Sequence, residues 1–98
     1  MTIEINKNAD EVIIEIAGRL DTTTAPALDK AVSDEVGDAK KLVLDLKGLE
    51  YISSAGLRVI LGAQKKMQKV GSMKVTNVCE AVMEVFSITG FADILVIE

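Results

Sequence analysis

The stretch Ser53-Ser54-Ala55-Gly56-Leu57 sets two hydroxyls and a glycine between a strand-like run, Leu42 to Leu46, and a helix-like run that ends near Val70. The hydroxyls therefore fall at the start of a helix, where unbonded backbone N–H groups and the positive end of the helix dipole collect. A phosphate added there meets ready-made donors and changes the local charge by nearly two units. The simpler use of a serine at such a junction is as a helix N-cap. The sequence alone leaves both uses open.

The elements that place these residues follow from periodicity and punctuation. Thr2 to Asn6 and Val12 to Ile16 alternate apolar and polar and are read as strands, with Asn8-Ala9-Asp10 as the turn between them. Thr22-Thr23-Thr24-Ala25-Pro26 is a helix entrance, with threonine as cap and proline in the first turn. The first helix is expected from Ala25 to Val36, with Ala25, Leu28, Val32 and Val36 on one face and Gly37 as the stop. Lys41 to Leu46 is the next strand, so densely apolar that it is expected to be covered on both faces. The second helix runs to about Val70, Met73 to Val78 is a strand, Ala81 to Thr89 a third helix and Ile94 to Ile97 a final strand.

The order β-β-α-β-α-β-α-β implies an α/β fold, a single domain over residues 1–98 with a mixed, mostly parallel sheet and helices packed on it. Sites in open sheets of this kind form beyond the carboxyl ends of the strands. Gly18 to Thr24 and Lys47 to Ser53 share that end if the second and third strands are parallel.

Inventory excludes several chemistries. The chain has 98 residues and no histidine, so a Ser-His-Asp triad and a histidine metal site are impossible. No glycine loop for phosphates or dinucleotides occurs, and no catalytic residue, metal or cofactor is expected. The net charge of -4 and the shortage of aromatics argue against nucleic acid. No apolar run approaches a membrane helix and no secretory signal is visible, so no membrane insertion is expected. Cys79 is the only cysteine and has no internal partner. These features favour the cytoplasm. A monomer is the default for the free protein. Met67, Met73 and Met83 are expected in or near the core, and Lys65, Lys66 and Lys69 on a basic helix face.

At about 100° per residue, Gly56, Val59, Ile60, Ala63, Met67 and Val70 share one stripe of the second helix, the expected core face. Ser54 falls roughly opposite, near Arg58, Leu61 and Lys65, with Leu57 on the flank. Ser54, Leu57, Arg58 and Leu61 are thus expected to form one exposed partner-binding patch. The competing use of the two leucines is packing beneath the neighbouring helix.

The entrance Gly18-Arg19-Leu20-Asp21, the strand Leu42-Val43-Leu44-Asp45-Leu46 and the run Tyr51-Ile52-Ser53-Ser54-Ala55-Gly56-Leu57 resemble the STAS domain, and more narrowly the bacterial anti-sigma factor antagonists. The resemblance covers essentially the whole chain. It implies a binding module rather than an enzyme. Its partners would be an anti-sigma factor with serine kinase activity and a serine phosphatase, and its output release of a sigma factor. The commonest family motif reads Asp-Ser-Ser/Thr-Gly-Leu. Ser53 stands at the Asp position, Ser54 at that of the phosphorylated serine and Ala55 at the second hydroxyl, while Gly56 and Leu57 match. Ser54 is therefore the implied phosphorylation site, with Ser53 the competing acceptor. Asp21 matches an acidic position near that site, and Asp21, Thr22 and Ser53 join the implied partner surface. The alternative is a constitutive STAS scaffold or accessory subunit of a larger assembly, without a phosphorylation cycle.

Overall fold

The hairpin of β1 (Thr2–Asn8) and β2 (Glu11–Leu20) turns at Ala9 and Asp10 and pairs antiparallel, with Ile3 opposite Ile16 and Glu4 opposite Glu15. The computed structural model describes residues 1–98. After the hairpin come α1 (Ala25–Glu35), β3 (Lys41–Ile52), α2 (Ser54–Gln68), β4 (Ser72–Thr76), α3 (Glu80–Thr89) and a 3-10 turn at Phe91–Asp93. The sheet order is β1-β2-β3-β4, with β2/β3 and β3/β4 parallel.

The two crossovers step in the same direction along the sheet. A common right hand then sends α1 and α2 to the same face. Burial agrees. Val12, Ile14 and Ile16 on β2, Leu42, Leu44 and Leu46 on β3, and Met73 and Val75 on β4 join Leu28, Val32, Ile60, Met67, Val82 and Phe86 in one core. The opposite face carries Glu4, Glu15, Asp45 and Lys47, all exposed or half-exposed. The expectation that the third strand is covered on both faces is thus corrected. Its dense apolar run has a buried Val43, 7% exposed, on the outer face, but Asp45 and Lys47 follow it into solvent.

The third strand is also longer than its periodicity suggests. It continues to Ile52 because two register shifts, between Glu15 and Ala17 and between Gly18 and Arg19, each admit an extra β3 residue. Gly48 permits the first shift, since a Cβ there would lie 2.6 Å from the Ala17 Cβ. Bulges break the alternation of period two, which is why Gly48 to Ile52 looks like a connection in the sequence.

Three further boundaries differ, the first being β4, which stops at Thr76 rather than Val78 where Asn77 takes a left-handed φ of 56°. Val70 lies beyond the end of α2 and is exposed, so it is not part of the core stripe. The expected strand Ile94 to Ile97 is reduced to one parallel bridge between Val75 and Ile97. The Val75 amide donates to the Val96 carbonyl at 2.8 Å and the Glu98 amide to the Val75 carbonyl at 2.9 Å. The helical turn after α3 explains the loss. The Ile94 and Leu95 amides both donate to the Phe91 carbonyl, leaving only Val96 to Glu98 extended. No helix is long and apolar enough to cross a membrane.

Candidate functional site at the start of the second long helix

Leu20 and Ile52 are register partners at the carboxyl ends of β2 and β3. The Ser53 amide then donates to the Leu20 carbonyl at 2.9 Å. The chain therefore leaves both strands at one point, with Asp21 following Leu20 on one side and Ser54 following Ser53 on the other. The expectation that these two connections share one end of the molecule holds.

Ser53 is the N-cap of α2. Its backbone is extended, at φ -99° and ψ 175°, and its hydroxyl accepts the Gly56 amide at a long 3.4 Å. Its carbonyl takes the Leu57 amide at 2.9 Å. Ser54 is the first helical residue. It is exposed, and its hydroxyl makes no hydrogen bond to the protein. The amides of Ser54 and Ala55 precede the first intrahelical bond and have no backbone acceptor. One serine is thus committed to the fold and half-buried, and its neighbour is free.

Gly56 is required by packing. A Cβ at this position would lie 2.7 Å from Leu20 Cγ and 3.0 Å from Ile52 Cγ1. The first turn of α2 can sit directly on β2 and β3 only without that side chain, which fixes where Ser54 emerges.

Asp21 organises the opposite side. Its Oδ1 accepts the Thr23 hydroxyl at 2.7 Å, the Thr23 amide at 3.0 Å and the Thr24 amide at 3.2 Å. The Asp21 amide donates to Thr24 Oγ1 at 2.8 Å, and that hydroxyl donates to the Arg19 carbonyl at 2.8 Å. The Thr23 hydroxyl holds the Asp21 carboxyl below its ordinary value, and the Thr23 and Thr24 amides add to this against some burial. Asp21 therefore carries a fixed negative charge beside the α1 entrance. Thr22 is exposed on the same turn.

Arg19 lies 4.1 Å from the centre of the Tyr51 ring, and its Nε is 3.9 Å from Asp21 Oδ2. This pair did not emerge from the sequence. Arg19 and Tyr51 face each other only after both register shifts, which no single-strand pattern reveals. The cation–π contact adds an exposed edge to the same end of the sheet.

On α2, Arg58 is exposed and Leu61 half-buried, as a surface patch requires. Leu57 is different. It is 7% exposed and belongs to the core. Its placement in an exposed patch is corrected: Leu57 takes the competing use, packing in the core, and α2 is packed against α1 as well as the sheet. The surface residues brought together are Asp21, Thr22, Ser54, Arg58 and Leu61, with Ser53 and Leu57 supporting them from within.

Residues 2–98 match the STAS domain family. The chain belongs to that family. Within the STAS proteins it is 32% identical over 96 residues to the anti-sigma-B factor antagonist of Bacillus subtilis (strain 168), covering 97% of this chain and 88% of the relative. It is 32% identical over 101 residues to the anti-sigma-B factor antagonist of Listeria monocytogenes serovar 1/2a, covering 100% of this chain and 89% of the relative. The crystal structure of an anti-sigma factor antagonist from Mycobacterium paratuberculosis superposes with a TM-score of 0.89 at 26% identity, covering 98% of this STAS chain and 83% of that one.

Proposed function

We propose that this STAS protein is an anti-sigma factor antagonist whose docking surface is switched by phosphate on Ser54. With Ser54 unmodified, the surface of Asp21, Thr22, Ser54, Arg58 and Leu61 binds an anti-sigma factor that is also a serine kinase, and a sigma factor is released. The kinase transfers the terminal phosphoryl group of ATP to the Ser54 hydroxyl and leaves ADP. The modified protein dissociates, and a serine phosphatase restores it by hydrolysis.

The observation that carries this reading is the division of labour between adjacent serines. Ser53 is spent as the helix cap, while Ser54 stands exposed with an unbonded hydroxyl. A neutral hydroxyl can enter a partly apolar interface at low cost if it finds a hydrogen bond there. A phosphate brings about -1.5 to -2 charges and must be desolvated on docking. Asp21, ionised and on the adjoining turn, adds like-charge repulsion. Unless the partner supplies Arg or Lys, these costs can exceed the few kcal/mol that separate tight from weak association. The fold need not change, because Ser54 contributes no bond to it.

The experiment is phosphate mapping. Wild type, Ser53→Ala and Ser54→Ala proteins are incubated with ATP and lysate of the source cells, then analysed by intact mass and peptide fragmentation. Phosphate on wild type and Ser53→Ala but not Ser54→Ala supports the assignment. Phosphate on Ser53 alone would move the switch to the competing acceptor, and none on any protein points instead to a constitutive STAS scaffold.

A further inference from the structure

Arg58 stands one helical turn after Ser54, on the same exposed face of α2. Residues four apart on a helix have Cβ atoms about 5–6 Å apart. Helical side chains also lean toward the N-terminus, which puts the turn that begins with Ser54 within reach of the Arg58 guanidinium.

Arg58 has no partner of its own. It makes no ion pair, and α2, SAGLRVILGAQKKMQ, contains no acidic residue. Every position three or four residues away on the helix is therefore neutral, and the one at i−4 is a hydroxyl. The other arginine of the neighbourhood, Arg19, is held against Tyr51 and beside Asp21. Arg58 is the cation of this surface that a new anion on Ser54 would find unoccupied.

We infer that Arg58 is the intrachain partner of a phosphate on Ser54, closing an i→i+4 pair across the first turn of α2. This rests on the Ser54 reading above and deepens it. An anion N-terminal to a cation at this spacing is the favourable orientation, and a guanidinium grips phosphate through paired N–H donors. Phosphorylation then removes two features from the docking surface together: the neutral hydroxyl and the unpaired cation. The other charged or titratable groups at this end of the sheet are Arg19 near the end of β2, Asp21 on the β2–α1 turn, and Glu50 and Tyr51 near the end of β3. A comparison of variants at position 58 isolates the part that belongs to Arg58.

The test uses protein with phosphoserine encoded at position 54, so it needs neither the kinase nor a partner. The second ionisation of the phosphate is followed by phosphorus NMR in wild type, Arg58→Gln and Arg58→Lys at low salt, and again at about 0.5 M salt. The expected result is a wild-type midpoint about 0.2–0.4 of a pH unit below that of Arg58→Gln, with Arg58→Lys recovering part of the difference. The difference should shrink in high salt. Equal low-salt midpoints in wild type and Arg58→Gln would overturn the pair, while phosphate mapping would still decide the Ser54 switch independently.

Discussion

The Ser53 amide donates to the Leu20 carbonyl at 2.9 Å, and this bond ties the turn that opens α1 to the residue that caps α2. Asp21 and Ser54, 33 positions apart in the numbering, are brought to one surface by it. Because the bond is between backbone groups, substitutions of the two serine side chains can be read for their separate roles.

Ser53→Ala should destabilise the protein by about 0.5–1 kcal/mol, the lower part of the range for losing a cap, since the bond to the Gly56 amide is long. Ser54→Ala should change stability by less than about 0.5 kcal/mol, because the side chain is exposed and unbonded. Urea denaturation of both variants checks the pair. A larger loss from Ser54→Ala than from Ser53→Ala would show that the roles have been exchanged.

Leu57→Ala should cost about 2–4 kcal/mol, as expected of a leucine removed from a close-packed core. Leu61→Ala, at a half-buried position, should cost less than half as much. A docking defect in a Leu57 variant would therefore report on folding, and Leu61→Asp is the informative change at the interface. Thermal melts run beside binding measurements separate the two.

Gly56→Ala should destabilise the fold by about 1–3 kcal/mol, the usual range for overpacking, because the new methyl would meet the fully buried Leu20. It should also weaken partner binding by tilting the first turn of α2. The amide resonances of Leu20 and Ser53 should shift more than those of the remote β1. Unchanged spectra around Leu20 would contradict the close approach.

Two carboxylates give pH dependences of opposite sign. Asp21 is depressed below its ordinary value of 3.8, chiefly by the Thr23 hydroxyl. Its contribution is fully present above that value and is lost as pH falls through the lower value of the folded state. Glu15 is raised above its ordinary value of 4.5, first by hydrogen bonding with Glu4, then by burial and by the charges of Glu4 and Asp45. The folded protein holds that proton more tightly, so a penalty grows as pH rises from 4.5 through the higher folded value and stays in full above it. Glu15→Gln should raise the melting temperature at neutral pH, with the gain fading as pH is lowered toward 4.5. Asp21→Ala should lower it at neutral pH, with the deficit narrowing below pH 3.8. Melts across that pH range in both variants give the signs directly.

Much of the fold is written in local pattern. The alternation in β1 and β2, the helical face of Leu28 and Val32, and the glycine after Val36 each act over a few residues. The faces of the sheet are not local. Whether Asp45 and Lys47 meet solvent depends on both crossovers stepping the same way, which strand periodicity does not encode. The cap at Ser53 and the exposure of Ser54 follow from their order at the helix start, so the different settings of the two serines were legible. Leu57 sits on the flank of the wheel, where a single helix cannot decide between an exposed patch and packing against a neighbouring element, and it is buried. Arg19 and Tyr51 were missed because their meeting depends on two bulges. The short terminal bridge in place of a strand reflects a helical turn that persists to Leu95, where the apolar run Ile94 to Ile97 suggests only extension.

The most direct test of the central claim is capture followed by affinity measurement. Wild type, Ser54→Ala and phosphoserine-54 proteins serve as baits in lysate of the source cells, and a captured serine kinase is purified and titrated against all three. The account predicts that wild type and Ser54→Ala bind alike, that phosphoserine-54 binds at least tenfold more weakly by about 1.4 kcal/mol or more, and that ATP releases only the wild type. Equal affinity for all three proteins would contradict a switch at Ser54 and leave that residue as one exposed hydroxyl at the start of α2.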